Sequence, residues 1–163
     1  MTVGVAGGSA SDRHALYDLF AAYGALIDAA DFDAWLALFA ATCTYHIMPQ
    51  ENYQQGLPAT LVYCDSRGML EDRIRALREA NKYNIHTDRH LIGLPRLIGA
   101  DGDAKLVEVP FAVCQTDQEG ETRLLATGLY RDRVVVEAGG LKFRDKLVLL
   151  DTFAVPSLLA TPL

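Results

Sequence analysis

The first third of the chain repeats hydrophobic residues at the three- and four-residue spacing of amphipathic helices. The first predicted helix runs from a cap at Ser11 or Asp12 to about Ala29. Its apolar stripe consists of Leu16, Leu19, Phe20, Tyr23, Leu26 and Ile27. Asp31 can cap a second, shorter helix with Phe32, Trp35, Leu36 and Phe39 on its apolar side. Two adjacent amphipathic helices need a broad apolar surface to lie on, which is usually a sheet.

The middle of the chain alternates short elements. Residues 43–48 form a predicted strand that Pro49 stops, and the polar residues 50–58 predict a loop. A brief strand over residues 61–64 leads to a cap at Asp65 or Ser66. A third helix follows to about Ala80, with Leu70, Ile74 and Leu77 as its apolar stripe.

The second half has the period of strands. Four long predicted strands, rich in Val, Leu and Thr, cover residues 86–98, 105–116, 122–136 and 141–153. The dipeptides Asp101-Gly102, Glu119-Gly120 and Gly139-Gly140 are hairpin turn signals. Strands joined by tight turns pair antiparallel. We therefore predict an α+β fold in which helices pack on a curved antiparallel sheet, as one domain over residues 11–163 after a flexible leader of residues 1–10.

Composition limits the partners. Half of the 163 residues are hydrophobic, 22% are charged, and the net charge is −6, which disfavours nucleic acid or an anionic membrane as the main partner. We find no apolar run long enough to span a bilayer and no secretory signal pattern. Cys43, Cys64 and Cys114 are predicted to be unpaired thiols, in keeping with a cytoplasmic protein.

His86, Asp88 and His90 alternate along a predicted strand and so share one face. On a strand the two histidines lie about 13 Å apart, too far for one metal ion, and Asp88 lies about 7 Å from either. An Asp–His pair that transfers protons inside a cavity is one interpretation. The preferred interpretation is that His90 is hydrogen-bonded in a core or interface and that Asp88 and Arg89 are solvated or paired.

Other ligand motifs are incomplete. Cys43 and His46 have the C-x2-H spacing of half an iron–sulfur ligand set, but no C-x-H partner motif exists and the two positions face opposite sides of a strand. The chain contains no phosphate-binding glycine loop, nucleophile elbow or H-E-x-x-H motif. We therefore expect no metal or cofactor in this chain.

Two features suggest contact surfaces. The third helix carries four arginines, a residue type favoured in subunit interfaces, namely Arg67, Arg73, Arg75 and Arg78. The apolar end of the chain, which includes Leu158 and Leu159, must either close its own domain or dock on a partner.

Four blocks along the chain carry a family resemblance. They are LIDAADFDAWLALFAATCTYHIMP from Leu26, YCDSRGMLEDRIRALREANKY from Tyr63, RHLIG from Arg89, and KLVLLD from Lys146. Their order and spacing, over nearly the whole chain, resemble the small (β) subunit of Rieske-type aromatic-ring-hydroxylating dioxygenases. The middle block is most similar to small subunits of enzymes that act on aromatic carboxylates, of the terephthalate dioxygenase or salicylate hydroxylase type.

The resemblance implies a cone-shaped α+β fold of the ketosteroid-isomerase and nuclear-transport-factor type. It also implies a structural subunit that forms trimers and assembles with a catalytic α subunit, typically as three α and three β chains. The Rieske [2Fe-2S] cluster and the mononuclear iron would then lie in the α subunit, and the substrate would be chosen there.

A free-standing enzyme of the same fold is the alternative. In that hypothesis Tyr45, His86, Asp88 and His90 line a cavity of a dehydratase or isomerase, with an Asp–His pair as the base and the tyrosine stabilising an oxyanion. The two hypotheses differ in whether these side chains converge on a pocket that solvent can reach.

Overall fold

The helices lie in the first half of the chain with two strands between them, and strands make up the second half. The computed structural model describes residues 9–79, 85–151 and 161–163. Within these residues the helices are α1 (Ala10–Asp28), α2 (Phe32–Leu36), α3 (Gln50–Gln54) and α4 (Arg67–Glu79). The strands are β1 (Phe39–Pro49), β2 (Val62–Cys64), β3 (Thr87–Ile92), β4 (Arg96–Asp101), β5 (Ala104–Thr116), β6 (Thr122–Glu137) and β7 (Gly140–Leu150). The predicted leader lies mostly outside the described residues, so the domain boundary stays a prediction.

The strands form one curved, open sheet in the order β2-β1-β7-β6-β5-β3, and β4 also pairs with β5. The prediction of an α+β fold with helices on a curved sheet is confirmed. The pairs β4–β5, β5–β6 and β6–β7 are antiparallel, as their tight turns require. Gly102, Gly120 and Gly139, one in each predicted turn, have positive φ angles. Strands β1 and β7 pair parallel, which was not predicted.

The strand predicted over residues 86–98 is two strands. β3 pairs with the second half of β5, and β4 pairs with the first half. The break falls at Gly93, whose N–H donates to the carbonyl of Pro110 at 2.8 Å. A Cβ at position 93 would lie 2.7 Å from Cγ of Pro110, so the close approach requires glycine. The prediction of a continuous strand was therefore wrong.

Helix boundaries were predicted with mixed success. Asp31 caps α2 by accepting from Ala34 N, as predicted. Ser66, one of the two predicted caps of α4, accepts from Met69 N at 3.3 Å. Residues 50–54 form the helix α3 rather than the start of a loop. The cap of α1 is neither Ser11 nor Asp12 but Ser9.

Ser9 and Asp12 form a reciprocal capping box at the start of α1. Asp12 N donates to Ser9 Oγ at 3.0 Å, and Ser9 N donates to the Asp12 carboxylate at 3.3 Å. We expect Ser9→Ala to lower the free energy of unfolding by about 1 kcal/mol, because one amide of the first turn loses its acceptor. Chemical denaturation measures this change. Ser11→Ala, inside the same helical turn, is the matched control and should change stability by less than about 0.5 kcal/mol.

Helices α1 and α2 cover one face of the sheet with a cluster of aromatic rings. Tyr23 and Trp35 are both 0% exposed, and their ring centroids lie 5.8 Å apart. Trp35 also makes edge contacts with Phe39 and Tyr45 of β1. The aromatic cluster therefore forms the lining of the cone.

Candidate functional site

Tyr45 points into the cone and its hydroxyl contacts the end of the chain. Leu163 N donates to Tyr45 Oη at 3.0 Å, and Tyr45 Oη lies 3.2 Å from Leu163 O. Tyr23 Oη donates to the same carbonyl oxygen at 2.6 Å. Leu163 is 2% exposed and belongs to the core. The apolar end thus closes its own domain at Leu163, whereas Leu158 and Leu159 lie outside the described residues.

A buried ion pair lies deeper in the same interior. Lys146 Nζ donates to an Asp132 oxygen at 2.8 Å, and both side chains are fully buried. The ammonium also lies 3.4 Å from the ring centroid of Tyr130 and 4.2 Å from that of Tyr23. Burial raises the pKa of Asp132 to about 6 and lowers the pKa of Lys146 to about 8. The sequence of β6 and β7 did not predict the ion pair between Asp132 and Lys146.

The buried pair predicts a specific dependence of stability on pH. Between pH 4 and 6 the folded chain keeps a proton on Asp132 that the unfolded chain releases, so stability falls as pH rises through this interval. Between pH 8 and 10.5 the folded chain releases the Lys146 proton first, so stability rises again. The difference in unfolding free energy between wild type and Lys146→Met/Asp132→Leu, measured at pH 4.5, 7 and 10, isolates the effect. Because the pKa of Asp132 rises from 3.8 to about 6, its titration can change the free energy of unfolding by at most about 3 kcal/mol.

His90 is hydrogen-bonded in the core, as preferred from the sequence, but its partner is Asp28 rather than Asp88. His90 Nδ1 lies 2.7 Å from Asp28 Oδ1, and His90 N donates to the same carboxylate at 3.1 Å. The imidazole is 0% exposed, and its Nε2 is buried with no hydrogen-bond partner among the described residues. Nothing in the sequence indicated Asp28 as a partner, because it lies 62 residues from His90 on a different element.

His86 and Asp88 form a second contact on the same strand face. His86 Nε2 lies 3.3 Å from an Asp88 carboxylate oxygen, and Gln115 Nε2 donates to Asp88 at 3.0 Å. Of the four residues of the alternative enzyme hypothesis, His86 and Asp88 contact each other, whereas Tyr45 and His90 have partners outside the set. Tyr45 contacts Leu163, His90 contacts Asp28, and His86 contacts Asp88. Among the described residues these side chains do not converge on one proton-transfer site.

The arginines of α4 are engaged within the chain to different degrees. Arg67 donates to the carbonyls of Phe39 and Ala40 and pairs with Glu71. Arg78 pairs with Asp33 at 3.1 Å and so ties α4 to α2. Arg75 is 65% exposed and pairs only locally with Asp72. Arg73 is half-buried. A role in a subunit interface stays a prediction, and Arg75 is the arginine best exposed for it.

The face of the sheet opposite the aromatic cluster has a cavity of about 450 Å³ that the sequence did not suggest, lined by both charged and apolar side chains. Arg131 extends over it, donating to Tyr53 Oη at 3.0 Å and pairing with Glu108 at 2.8 Å. His46 lies at its edge, stacked on Tyr63, and burial lowers its pKa. Cys43 faces the core instead. The C-x2-H pair therefore lies on opposite faces of β1.

Across residues 9–79, 85–151 and 161–163, no group of three or more His, Cys, Asp or Glu side chains is arranged to hold a metal ion. Cys43, Cys64 and Cys114 are free thiols. In the same part of the chain, none of the helices has the length and apolar character needed to cross a membrane.

Known proteins resemble this chain over most of its length. A family profile described as the SnoaL-like domain matches residues 8–146. The small subunit of anthranilate 1,2-dioxygenase from Burkholderia cepacia is 39% identical over 149 residues, which are 91% of this chain and 92% of the relative. Subunit beta 1 of the terminal oxygenase component of terephthalate 1,2-dioxygenase from a Comamonas species is 36% identical over 143 residues, 88% of this chain and 93% of the relative.

A solved structure agrees with these relatives. It is a crystal structure from Novosphingobium aromaticivorans, described as the β subunit of an aromatic-ring-hydroxylating dioxygenase. It superposes with a TM-score of 0.85 at 40% identity and covers 94% of this chain and 97% of its own. Sequence similarity and fold similarity therefore each cover about nine-tenths of this chain.

Proposed function

The chain belongs to the SnoaL-like domain family and, within it, to the small (β) subunits of aromatic-ring-hydroxylating dioxygenases, and from this premise we propose that it is the structural subunit of such an oxygenase. In this proposal it forms trimers and holds catalytic α subunits in an α/β hexamer that acts in aromatic compound catabolism. The complex works in the cytoplasm. The observation that carries the proposal is the 36–39% identity to small subunits over about nine-tenths of both chains.

The interior of the cone supports a structural role for this chain. Tyr23 and Tyr45 bind Leu163, and Lys146 is enclosed by aromatic rings and Asp132. These contacts occupy the hydroxyls of Tyr23 and Tyr45 and the charges of Lys146 and Asp132. A rigid sheet covered by helices supplies preformed contact area on its outside, which symmetric assembly requires.

The iron centres of the oxygenase belong to the α subunit in this proposal. Ring hydroxylation of this type needs a Rieske [2Fe-2S] cluster, held by two cysteines and two histidines, and a mononuclear iron. Cys43 is buried in the core while His46 lines the cavity on the other face of β1, so this pair does not fit such a ligand set. In this proposal the chain therefore contributes its shape and its contact surface to the oxygenase complex.

Co-expression of this chain with a catalytic α subunit of an aromatic-ring-hydroxylating dioxygenase from the same genome tests the proposal. We expect one complex that contains both chains in equal numbers, measured by light scattering after size-exclusion chromatography, and iron in the α chain. Two separate species, with the α chain fully active alone, would contradict the proposal.

Arg75 provides a sharper test of the contact surface. Arg75→Glu reverses an exposed charge on α4, and we expect it to weaken subunit association about tenfold or more because like charges would then face each other. Arg123→Glu is the matched control, since Arg123 is an exposed arginine at the start of β6 and not on α4. Dilution series followed by sedimentation velocity would compare the two variants. If Arg75→Glu and Arg123→Glu associate equally well, Arg75 does not contribute to the interface.

The Asp28–His90 pair supports a second candidate function, a dehydratase or isomerase acting on a small cyclic ketone. Its carboxylate orients the imidazole, as in a general-base pair, and His90 Nε2 lacks a partner among the described residues. Turnover of such a ketone by the purified chain, abolished in Asp28→Asn, would favour this function. Unchanged substrate would rule it out for the compounds assayed.

A further inference from the structure

The cavity on the face of the sheet opposite the aromatic cluster is built on the centre of the sheet. Its volume of about 450 Å³ is within the range of pockets that bind small molecules. Side chains directly opposite one another on paired strands share a face, so two rows of them cross β1, β7, β6 and β5 here. The first row is His46, Leu147, Arg131 and Glu108, and the second is Thr44, Asp145, Arg133 and Leu106. All of them except Glu108 line the cavity.

The first row carries an excess of positive charge. Glu108 is 11% exposed and pairs with two arginines, with Arg131 at 2.8 Å and also with Arg96. Arg131 donates to the hydroxyl of Tyr53 at 3.0 Å, and its guanidinium lies 5.5 Å from the centroid of that ring. One carboxylate therefore compensates two guanidinium groups, and the contacts of Arg131 hold it in place at this end of the cavity.

The second row carries an excess of negative charge. Arg133 pairs with Asp101 at 2.7 Å and lies 3.6 Å from an oxygen of Asp145. Thr44 Oγ1 donates to Asp145 at 3.0 Å, which positions that carboxylate on the cavity wall. One guanidinium therefore compensates two carboxylates. Because Arg131 and Arg133 are two residues apart on β6, the positive and negative ends of the cavity are separated by roughly 7 Å.

Apolar and aromatic groups line the rest of the cavity. Tyr53 contributes its ring at the positive end, and the apolar side chains come from Leu106, Leu147 and Ile98. The Nε2 atom of His46 is buried and has no hydrogen-bond partner among the described residues, since its distance of 3.9 Å from Asp65 is too long for one. A flat apolar ligand with a polar group at each end fits such a lining.

We propose that this cavity is a binding site for benzoic acids that carry a hydrogen-bond donor in the para position, such as 4-hydroxybenzoate and 4-aminobenzoate. The ligand carboxylate pairs with Arg131, the ring lies over Leu147, and the hydroxyl or amino group donates to Asp145. Substituents in para positions span the two charged ends, whereas ortho substituents lie too close together to reach both. The site goes beyond the proposed function, because it lies on this chain alone and needs no α subunit.

Calorimetric titration of the isolated full chain with 4-hydroxybenzoate tests the proposal. We expect one site per chain with a dissociation constant of about 0.1 mM or below. Benzoate lacks the donor and 2-hydroxybenzoate carries it in the wrong place. Each should bind about tenfold more weakly, the effect of one hydrogen bond to a charged group. The alcohol 4-hydroxybenzyl alcohol, which has no carboxylate, should not bind.

Variants at the two ends of the cavity make the test specific. Asp145→Asn should weaken binding of 4-hydroxybenzoate about tenfold and leave that of benzoate unchanged, because only the hydroxyl donates to this carboxylate. Arg131→Met should weaken binding of both ligands about tenfold or more, since it removes the partner of the ligand carboxylate. Arg144→Met is the matched control, because Arg144 pairs with Asp103 outside the cavity lining, and it should bind both ligands as wild type does.

Three results would overturn the proposal. They are failure of the wild-type chain to bind 4-hydroxybenzoate, equal affinity for 4-hydroxybenzoate and 2-hydroxybenzoate, and unchanged affinity in Asp145→Asn. If Arg131→Met does not fold, Arg131→Lys replaces it, and binding of both ligands should still weaken because the bidentate guanidinium contact is lost. All of these measurements use the isolated chain, so none of their outcomes bears on subunit assembly.

Discussion

Replacing Lys146 by methionine is expected to lower the free energy of unfolding by about 3–5 kcal/mol at pH 7, because it leaves the Asp132 carboxylate buried without its counter-charge. The two side chains have no access to solvent, so water cannot replace the lost partner. The loss should be smaller at pH 5, where Asp132 takes up a proton. Urea unfolding followed by circular dichroism measures both values.

The double variant Lys146→Met/Asp132→Leu distinguishes an ion pair from simple packing. Removing both charges should recover most of the stability, since replacing a buried pair by apolar residues of similar volume is often neutral or stabilising. Arg75→Met is the control on an exposed pair and should cost less than about 1 kcal/mol. If the double variant is as unstable as the single one, the account of Lys146 as a paired charge is wrong.

Gly128→Ala should be similarly damaging, by about 3 kcal/mol or more, for a steric reason. A Cβ at position 128 would lie 2.0 Å from the carbonyl oxygen of Leu149 on the paired strand and 3.0 Å from Phe111. Backbone on the neighbouring strand cannot move aside without breaking the β6–β7 ladder. We expect loss of the cooperative unfolding transition or a marked fall in its midpoint.

Gly99→Ala is the matched control for this substitution. Gly99 also lies in a strand, but a Cβ there would meet Leu106 at 3.7 Å, an ordinary contact. The free energy of unfolding of Gly99→Ala should therefore differ little from that of wild type. Equal stability of Gly128→Ala and wild type would show that β6 and β7 are less closely packed than described here.

The helices and the strand hairpins could be predicted because local signals determine them. The spacing of Leu16, Phe20 and Tyr23 places them on one helical face whatever lies beneath. Turn residues such as Gly102 and Gly139 determine which strands become neighbours. The capping box at Ser9 was missed because Ser9, Ser11 and Asp12 all have capping side chains and only the backbone path selects among them.

The candidate site could not be predicted in the same way, since its partners are distant in sequence. Asp28 and His90 are 62 residues apart, and Tyr45 and Leu163 are 118 apart. No local period links such pairs. From its residue type alone, Lys146 of β7 would be expected to face solvent. Only the surrounding aromatic rings and Asp132 explain why it is buried.

The parallel pairing of β1 with β7 has a consequence for how the chain folds during synthesis. β1 has only the three-residue β2 as its other neighbour, so its main hydrogen-bonding partner is the strand that leaves the ribosome last among the described strands. Contacts of such large sequence separation slow folding. Aromatic side chains that pack on β7, such as Tyr23 of α1 against Phe143, therefore stay partly uncovered until β7 has been synthesised, an interval in which chaperone binding would protect the nascent polypeptide.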